Sequence, residues 1–244
     1  MSDAWHHDFL LRNLAVSAVV SAVALRYFYV QHQWRRNMES ESSARIQPMQ
    51  SRIRPHFLFN SMNVIASLTR SRPQLAEAAV ENMADLFRAS LADARNRVPL
   101  REELEMARKY LHIEQLRLGH RLRVKWDMDA VPEDALIPVL TLQPLLENAV
   151  YHGIEPLSEG GEISIEGRDV DGVIEIRLAN PALPQGAPSR AHSNHFAVDN
   201  VRERLAAYYG ARAGLAIEEA SEQNGWRYSV SLRFPITRDI RAGT

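Results

Sequence analysis

The stretch from Pro55 to Leu68, PHFLFNSMNVIASL, is apolar on nearly every face but one. On that face His56, Asn60, Asn63 and Ser67 recur at steps of four, three and four, the spacing that stacks side chains in one row along a helix. Phe57, Leu58, Phe59, Met62, Val64 and Ile65 occupy the remaining faces and require packed neighbours, so the segment demands a helical bundle. The polar row has two readings. It is either a solvent-facing seam with chemistry at His56, or a hydrogen-bonded ladder that fixes helix register.

Two further helices supply neighbours. Pro73 to about Arg95 begins with proline at a permitted first-turn position and repeats apolar groups at Leu75, Ala79, Val80, Met83, Leu86, Phe87 and Leu91. Pro99 to about Leu118 carries a stripe at Leu100, Leu104, Ala107, Leu111 and Leu118, with Glu114 inside it. Glu114 calls for a partner, Arg117 or Tyr110, or for a functional role. Stripes this wide predict a bundle completed by a second copy of the chain.

Upstream, LAVSAVVSAVAL from Leu14 to Leu25 is free of charge. Extended through YFYV it falls just short of the ~20 residues that span a bilayer core. Arg26 can snorkel, Tyr27, Tyr29 and Trp34 form an aromatic belt, and Arg35, Arg36, Arg45, Arg52 and Arg54 follow. The expectation is a transmembrane helix with interfacial anchors over 9–34, in contact with membrane lipid, then a cytoplasmic stalk over 35–54. An amphipathic surface helix and a cleaved signal peptide are the alternatives, the latter opposed by the lack of a small-residue cleavage site. The span can also be the last of several.

From about Leu122 the period changes to two. Val124, Trp126 and Met128 alternate with charges, as in a half-buried strand. ISIEG and VIEIRLA flank Asp171-Gly172, and LAIEEA and YSVSLRF flank Asn224-Gly225, two strong hairpin signals. With helices predicted over about 141–152 and 198–209, the pattern is an α/β sandwich with an antiparallel-rich sheet and helices on one face. The fold class is therefore α+β.

Composition removes several functions. Cysteine is absent, which excludes disulfides, thiolate zinc sites and cysteine nucleophiles. The nine histidines show no HExxH-type spacing. A net charge of −1 with dispersed Lys and Arg gives no nucleic-acid surface. What remains is the helix TLQPLLENAVYHG, in which Glu147 and Asn148 stand late in an apolar run, with His152 beyond them. A carboxamide is a hard-oxygen ligand suited to Mg²⁺ on a triphosphate, and a neighbouring carboxylate can orient water. Alone the pair is equally a satisfied helix end.

Together these residues resemble the LytS-type sensor histidine kinases. The phosphoacceptor motif PHFLFNxxNxI is matched by Pro55, His56, Phe57, Leu58, Phe59, Asn60, Asn63 and Ile65. The nucleotide motif LQPLxENAxxHG is matched by Leu142, Gln143, Pro144, Leu145, Glu147, Asn148, Ala149, His152 and Gly153. YLxIExxR is met by Tyr110, Leu111, Ile113, Glu114 and Arg117, and NVRERL runs from Asn200 to Leu205. The resemblance covers roughly Ile46 to the end and is strongest to the AlgZ/FimS-like alginate and fimbrial sensor branch.

The resemblance implies dimerisation and phosphotransfer helices over 55–118 and a Bergerat-type ATP-binding domain over 122–236. His56 would take the γ-phosphoryl group of ATP-Mg²⁺ and pass it to an aspartate of a response regulator, which the family resemblance suggests is of LytTR type. Asn148 would hold the metal and Glu147 would orient or accept the proton. His152, Asn180 and Asn200 would contact nucleotide, and Asn60 sits where a carboxamide can orient water toward a phosphoaspartate. The protein would be a homodimer at the inner membrane with its catalytic part in the cytoplasm.

The chain departs from the family at three places. Asn180-Pro181-Ala182-Leu183-Pro184 stands where a DxGxG loop is usual, and His195-Phe196-Ala197-Val198-Asp199-Asn200 where GxGLxN is usual. Tyr151 replaces a frequent lysine near the phosphates. Each change removes recognition worth ~1–3 kcal/mol. Arg202, Arg204 and His195 can compensate, although the two arginines read more simply as solvated helix charges. Two function classes follow: a working, atypical histidine kinase, or a pseudokinase scaffold that docks a regulator without ATP turnover.

Overall fold

Two prolines set the start of the helical part. Pro55 and Pro73 occupy the first positions of α1 (Pro55–Ser71) and α2 (Pro73–Leu91), where a missing amide hydrogen costs nothing. Arg72 alone joins them. The computed structural model describes residues 55–91, 96–183, 194–222 and 225–238. The predicted membrane segment and stalk lie outside these residues, and among the described residues no helix is long and apolar enough to cross a membrane.

A short strand, β1 (Arg97–Pro99), leads into α3 (Leu100–Leu118). β1 pairs antiparallel with β3 (Leu136–Pro138), Val98 opposite Ile137. Neither three-residue strand is predicted from the sequence. The expected stripe of α3 is buried throughout, but so are Glu103, Tyr110, Ile113 and Glu114. The extra burial has a cause: α3 packs on α1 and α2 and also on the sheet and helix that follow it. α3 thus contacts elements of both the 55–118 and the 122–236 segments.

A single 3₁₀ turn, Gly119–Arg121, delivers the chain to β2 (Leu122–Asp127). Its burial alternates as expected, Leu122 in, Arg123 out, Val124 half-buried, Lys125 out. β4 (Gly161–Val170) and β5 (Val173–Ala182) form the hairpin at Asp171-Gly172, where φ values of 53° and 80° match a primed two-residue turn. α5 (Asn194–Tyr209) precedes the second hairpin, β6 (Gly214–Glu222) and β7 (Gly225–Pro235).

The sheet order is β2-β4-β5-β7-β6, parallel only between β2 and β4. Register explains its one-sidedness. Ile165, Leu178 and Val230 form one cross-strand row, and Ile174 with Phe234 another, all buried. The intervening row is polar, with Glu175 opposite Arg233 and paired to it. Helices therefore cover one face only, where Leu142, Leu146, Val201 and Leu205 complete the core.

The helix expected over about 141–152 is two structures. α4 (Gln143–Asn148) is regular, and Ala149–Ile154 is a π turn. The Glu155 amide donates to the Val150 carbonyl five residues back, at 2.9 Å. Such widened turns concentrate at functional sites.

Candidate functional site

The polar row of α1 keeps its helical spacing, with His56, Asn63 and Ser67 exposed and Asn60 half-buried. The Asn60 carboxamide nitrogen lies 3.2 Å from each ring nitrogen of His56 and donates to the unprotonated one. Apolar neighbours anchor the helix from its other side: Phe57 meets Tyr110 of α3 at a ring-centroid distance of 5.2 Å.

Tyr151, in the π turn, packs its ring edge-on against His56, with centroids 6.4 Å apart. Tyr151 in turn meets His152 edge-to-face at 4.8 Å. The phosphoacceptor motif and the ENAVYHG helix are therefore neighbours in space. Asn148 is buried, Glu147 and His152 are half-buried, and the Gln143 amide nitrogen donates to Glu147 Oε1 at 3.1 Å. Gln143 thus aims the carboxylate, a role its place in the motif hides.

The end of this helix abuts β5. Asn180 is buried and donates through Nδ2 to the Pro181 carbonyl at 2.8 Å, which leaves its carbonyl oxygen as the accepting side. Gly153 exists because Asn180 is there: a Cβ would lie 2.2 Å from Asn180 Nδ2. α5 packs on α4 from a third direction and brings Asn200 with it.

Arg204 is not merely a solvated helix charge. Its guanidinium donates to the carbonyls of Val139 and Leu140 at 2.6 and 2.9 Å and to Asn200 Oδ1 at 3.2 Å. Arg202 does pair on its own exposed helix face, with Asp199. The arginines of NVRERL therefore split into one surface charge and one tether.

α3 holds α4 and its π turn at both ends. Glu103 accepts from the amides of Leu140, Thr141 and Leu142 at 2.5, 3.0 and 3.1 Å. Burial pushes its carboxyl above the usual range, and those amides oppose the shift. At the other end Arg117 bridges Glu114 and Glu155, both at 2.5 Å. Burial also raises the Glu114 carboxyl, against the pull of Arg117. Glu114 is thus bound to Arg117, with Tyr110 as a further hydrogen-bonding neighbour. Arg121 donates to the carbonyls of Glu155 and Leu157 at 3.0 and 2.8 Å.

These residues suit a nucleotide carrying its own metal ligands. Among the described residues no group of three or more His, Cys, Asp or Glu side chains converges on a metal position. Magnesium is commonly held by one or two protein oxygens plus substrate phosphates, which the Asn148 carboxamide satisfies.

A family model described as histidine kinase matches residues 44–122. The chain is 30% identical over 190 residues to sensor histidine kinase YesM of Bacillus subtilis, covering 77% of this chain and 33% of YesM. The chain belongs to the LytS-type family of sensor histidine kinases. Sensor protein LytS of Staphylococcus saprophyticus is 28% identical over 202 residues, covering 78% of this chain and 34% of LytS. Sensor histidine kinase BtsS of Escherichia coli is 29% identical over 205 residues, covering 83% and 35% respectively. The chain thus spans about a third of the length of the curated relatives it matches. A scaffold without ATP turnover finds no support among these family members.

Proposed function

We propose that this chain is the transmitter part of a two-component sensor kinase that phosphorylates itself on His56 from ATP and passes the phosphoryl group to a response regulator aspartate. One observation carries the reading: the His56 ring lies against Tyr151, in the turn that directly follows Glu147 and Asn148. A neutral imidazole nitrogen of His56 attacks the γ-phosphorus; the N–P bond forms as the bond to the ADP oxygen breaks. Glu147, aimed by Gln143, orients the imidazole or accepts its proton. Asn148 would hold Mg²⁺, which supplies charge neutralisation along the triphosphate. Asn180 would accept from the adenine amino group, and His152 and Asn200 would contact the nucleotide. Asn60, already within 3.2 Å of the imidazole, is positioned to orient water for the reverse phosphatase reaction.

In this reading the phosphotransfer unit is the α1–α2 pair, and the Bergerat-type ATP-binding module begins at β1, because β1 pairs with β3 and α3 contributes to the sandwich core. Homodimerisation through α1 and α2 is favoured by Phe59, Met62 and Val80, which are 68%, 54% and 50% exposed. Membrane anchoring through 9–34, lipid contact, a cytoplasmic catalytic part and a regulator of LytTR type complete the proposal.

Incubation with γ-labelled ATP tests it. Acid-labile, base-stable label should appear on the wild-type chain and disappear in both His56→Ala and Asn148→Ala. Label that persists in His56→Ala, or no label with no measurable ATP binding, refutes the assignment.

A further inference from the structure

The segment Val139–Leu142 leads into the helix that carries Glu147 and Asn148, and its backbone is gripped from two directions. Glu103 of α3 takes three successive amides, those of Leu140, Thr141 and Leu142. Arg204 of α5 takes the carbonyls of Val139 and Leu140 through one nitrogen and reaches Asn200 through the other. Between the two grips Leu140 sits at φ 57°, the left-handed region. That conformation costs a side-chain-bearing residue ~1–2 kcal/mol. It persists only where the surroundings over-determine it.

A plain helix cap would not look like this. A Ser, Thr or Asp at the entry of α4 would satisfy its amides locally. Here α4 has no side-chain cap, and a buried carboxylate from another helix instead takes the three amides just ahead of it, an arrangement tolerated only when the acid is fully hydrogen-bonded. The opposing grip comes from a third element, and its second arm ends on a side chain of the nucleotide site. Glu103 is fixed by burial on a helix pinned at both ends. Arg204 is half-buried on a helix whose Asn200 is exposed. The two grips therefore differ: one is buried, and the other reaches the surface through Asn200.

We propose that Arg204 is a positioning residue that transmits occupancy of the nucleotide site, through Asn200 and the carbonyls of Val139 and Leu140, to the helix bearing Glu147 and Asn148. The proposal rests on the nucleotide-binding reading above. A phosphate that draws on Asn200 or on the second guanidinium nitrogen changes the pull on the two carbonyls. The strained Leu140 peptide then answers, and the amides held by Glu103 report it. A side chain that only stabilised the fold would not tie ATP occupancy to these three amides.

Hydrogen exchange of the full chain, read at the amides of Leu140, Thr141 and Leu142 with and without ATP-Mg²⁺, tests the coupling, with ATP binding followed separately by calorimetry. In the wild type, saturation should change exchange at these amides by about tenfold, a factor typical of coupled sites. Arg204→Lys keeps a cation for the carbonyls but lacks the forked second arm for Asn200. It should melt like wild type, still bind ATP, and show less than about a twofold response. Asn200→Ala, compared at an ATP concentration that calorimetry shows to saturate the variant, should lose the response while keeping wild-type protection in the absence of nucleotide. A wild type that binds ATP without any change at these amides overturns the proposal, as does Arg204→Lys responding like wild type. If calorimetry finds no ATP binding by the wild type, the kinase reading itself has failed and the coupling falls with it.

Discussion

Gly153→Ala is the substitution whose sign the geometry decides. The new methyl would stand 2.2 Å from Asn180 Nδ2, 2.9 Å from Asn180 Cγ and 2.8 Å from the Pro181 carbonyl oxygen. Asn180 cannot simply swing aside, because it is buried and its amide nitrogen is bonded to that same carbonyl at 2.8 Å. Overpacking of this kind costs about 1–3 kcal/mol. Losing the Asn180–Pro181 hydrogen bond adds about 1 kcal/mol. Alanine returns roughly 0.5–1 kcal/mol of backbone entropy in a helical turn. The net is about 1–3 kcal/mol of destabilisation, or a fall in Tm of about 2–12 °C for a domain of this size. In open space the same change would raise Tm. Displacing the Asn180 carbonyl by one hydrogen bond's worth should also weaken ATP about tenfold. Thermal melts followed by circular dichroism, with ATP titrations in parallel, measure both. A variant that melts at or above the wild-type temperature refutes the packing argument. A lower Tm with wild-type ATP affinity would keep the packing and remove Asn180 from the nucleotide site.

Asp85 of α2 accepts from Lys109 of α3 at 2.6 Å; Lys109 and Arg88 hold its carboxyl below the ordinary 3.8, while Asp85 and Glu105 hold Lys109 above 10.5. Asp85 therefore stabilises the fold above pH 3.8 and that contribution is lost as pH falls through its lower folded value, whereas Lys109 contributes below pH 10.5 and is lost as pH rises. Asp85→Asn should flatten the acid limb of a urea-stability profile, and an unchanged acid limb would refute the pairing. Arg117→Met leaves Glu114, whose side chain is 4% exposed, without its cation. The expected loss is about 3–5 kcal/mol in chemical denaturation. Adding Glu114→Gln should recover more than half, and a failure to recover would assign the loss to packing alone. Gln143→Ala should lower kcat about tenfold with KM for ATP little changed, since Gln143 aims Glu147 without serving the nucleotide. An equal rise in KM with kcat intact would sink that role.

The sequence announces some elements loudly because their chemistry is local. Asp171-Gly172 demands a tight reversal and forms one, and the second hairpin, signalled by Asn224-Gly225, closes with Glu222 opposite Gly225. The row from His56 to Ser67 survives because α1 is a regular helix. Spacing fails where the helix is not regular: His152 follows Asn148 by four residues, one turn of an α-helix, but the π turn sets a wider count. α3 shows a different limit. An amphipathic stripe says that a face is buried, not what covers it, so the helix could be assigned to the bundle when it also packs into the sandwich. β1 and β3 are too short to carry a period. Glu103 and Arg204 were hidden for another reason. An acid in a first turn and an arginine in a polar helix are ordinary surface choices, and only the backbone of Val139–Leu142, distant in sequence, gives them partners. Glu114 was the exception, because a carboxylate inside an apolar stripe calls for a cation nearby.

The turn Ala149–Ile154 holds one residue more than a regular helix of its length would. Its surplus residue sets a phase. Tyr151 faces the imidazole of His56 while Gly153 seats against Asn180, so one short segment aligns what the proposed function makes the acceptor side and the base-recognition side at once. Contracting the turn to the ordinary helical count would rotate whatever lies beyond it by about 100° relative to what lies before. Both alignments cannot survive that rotation. Deleting a single residue between Ala149 and His152 would therefore leave composition, charge and helix content almost untouched, yet place the two halves of the reaction out of step.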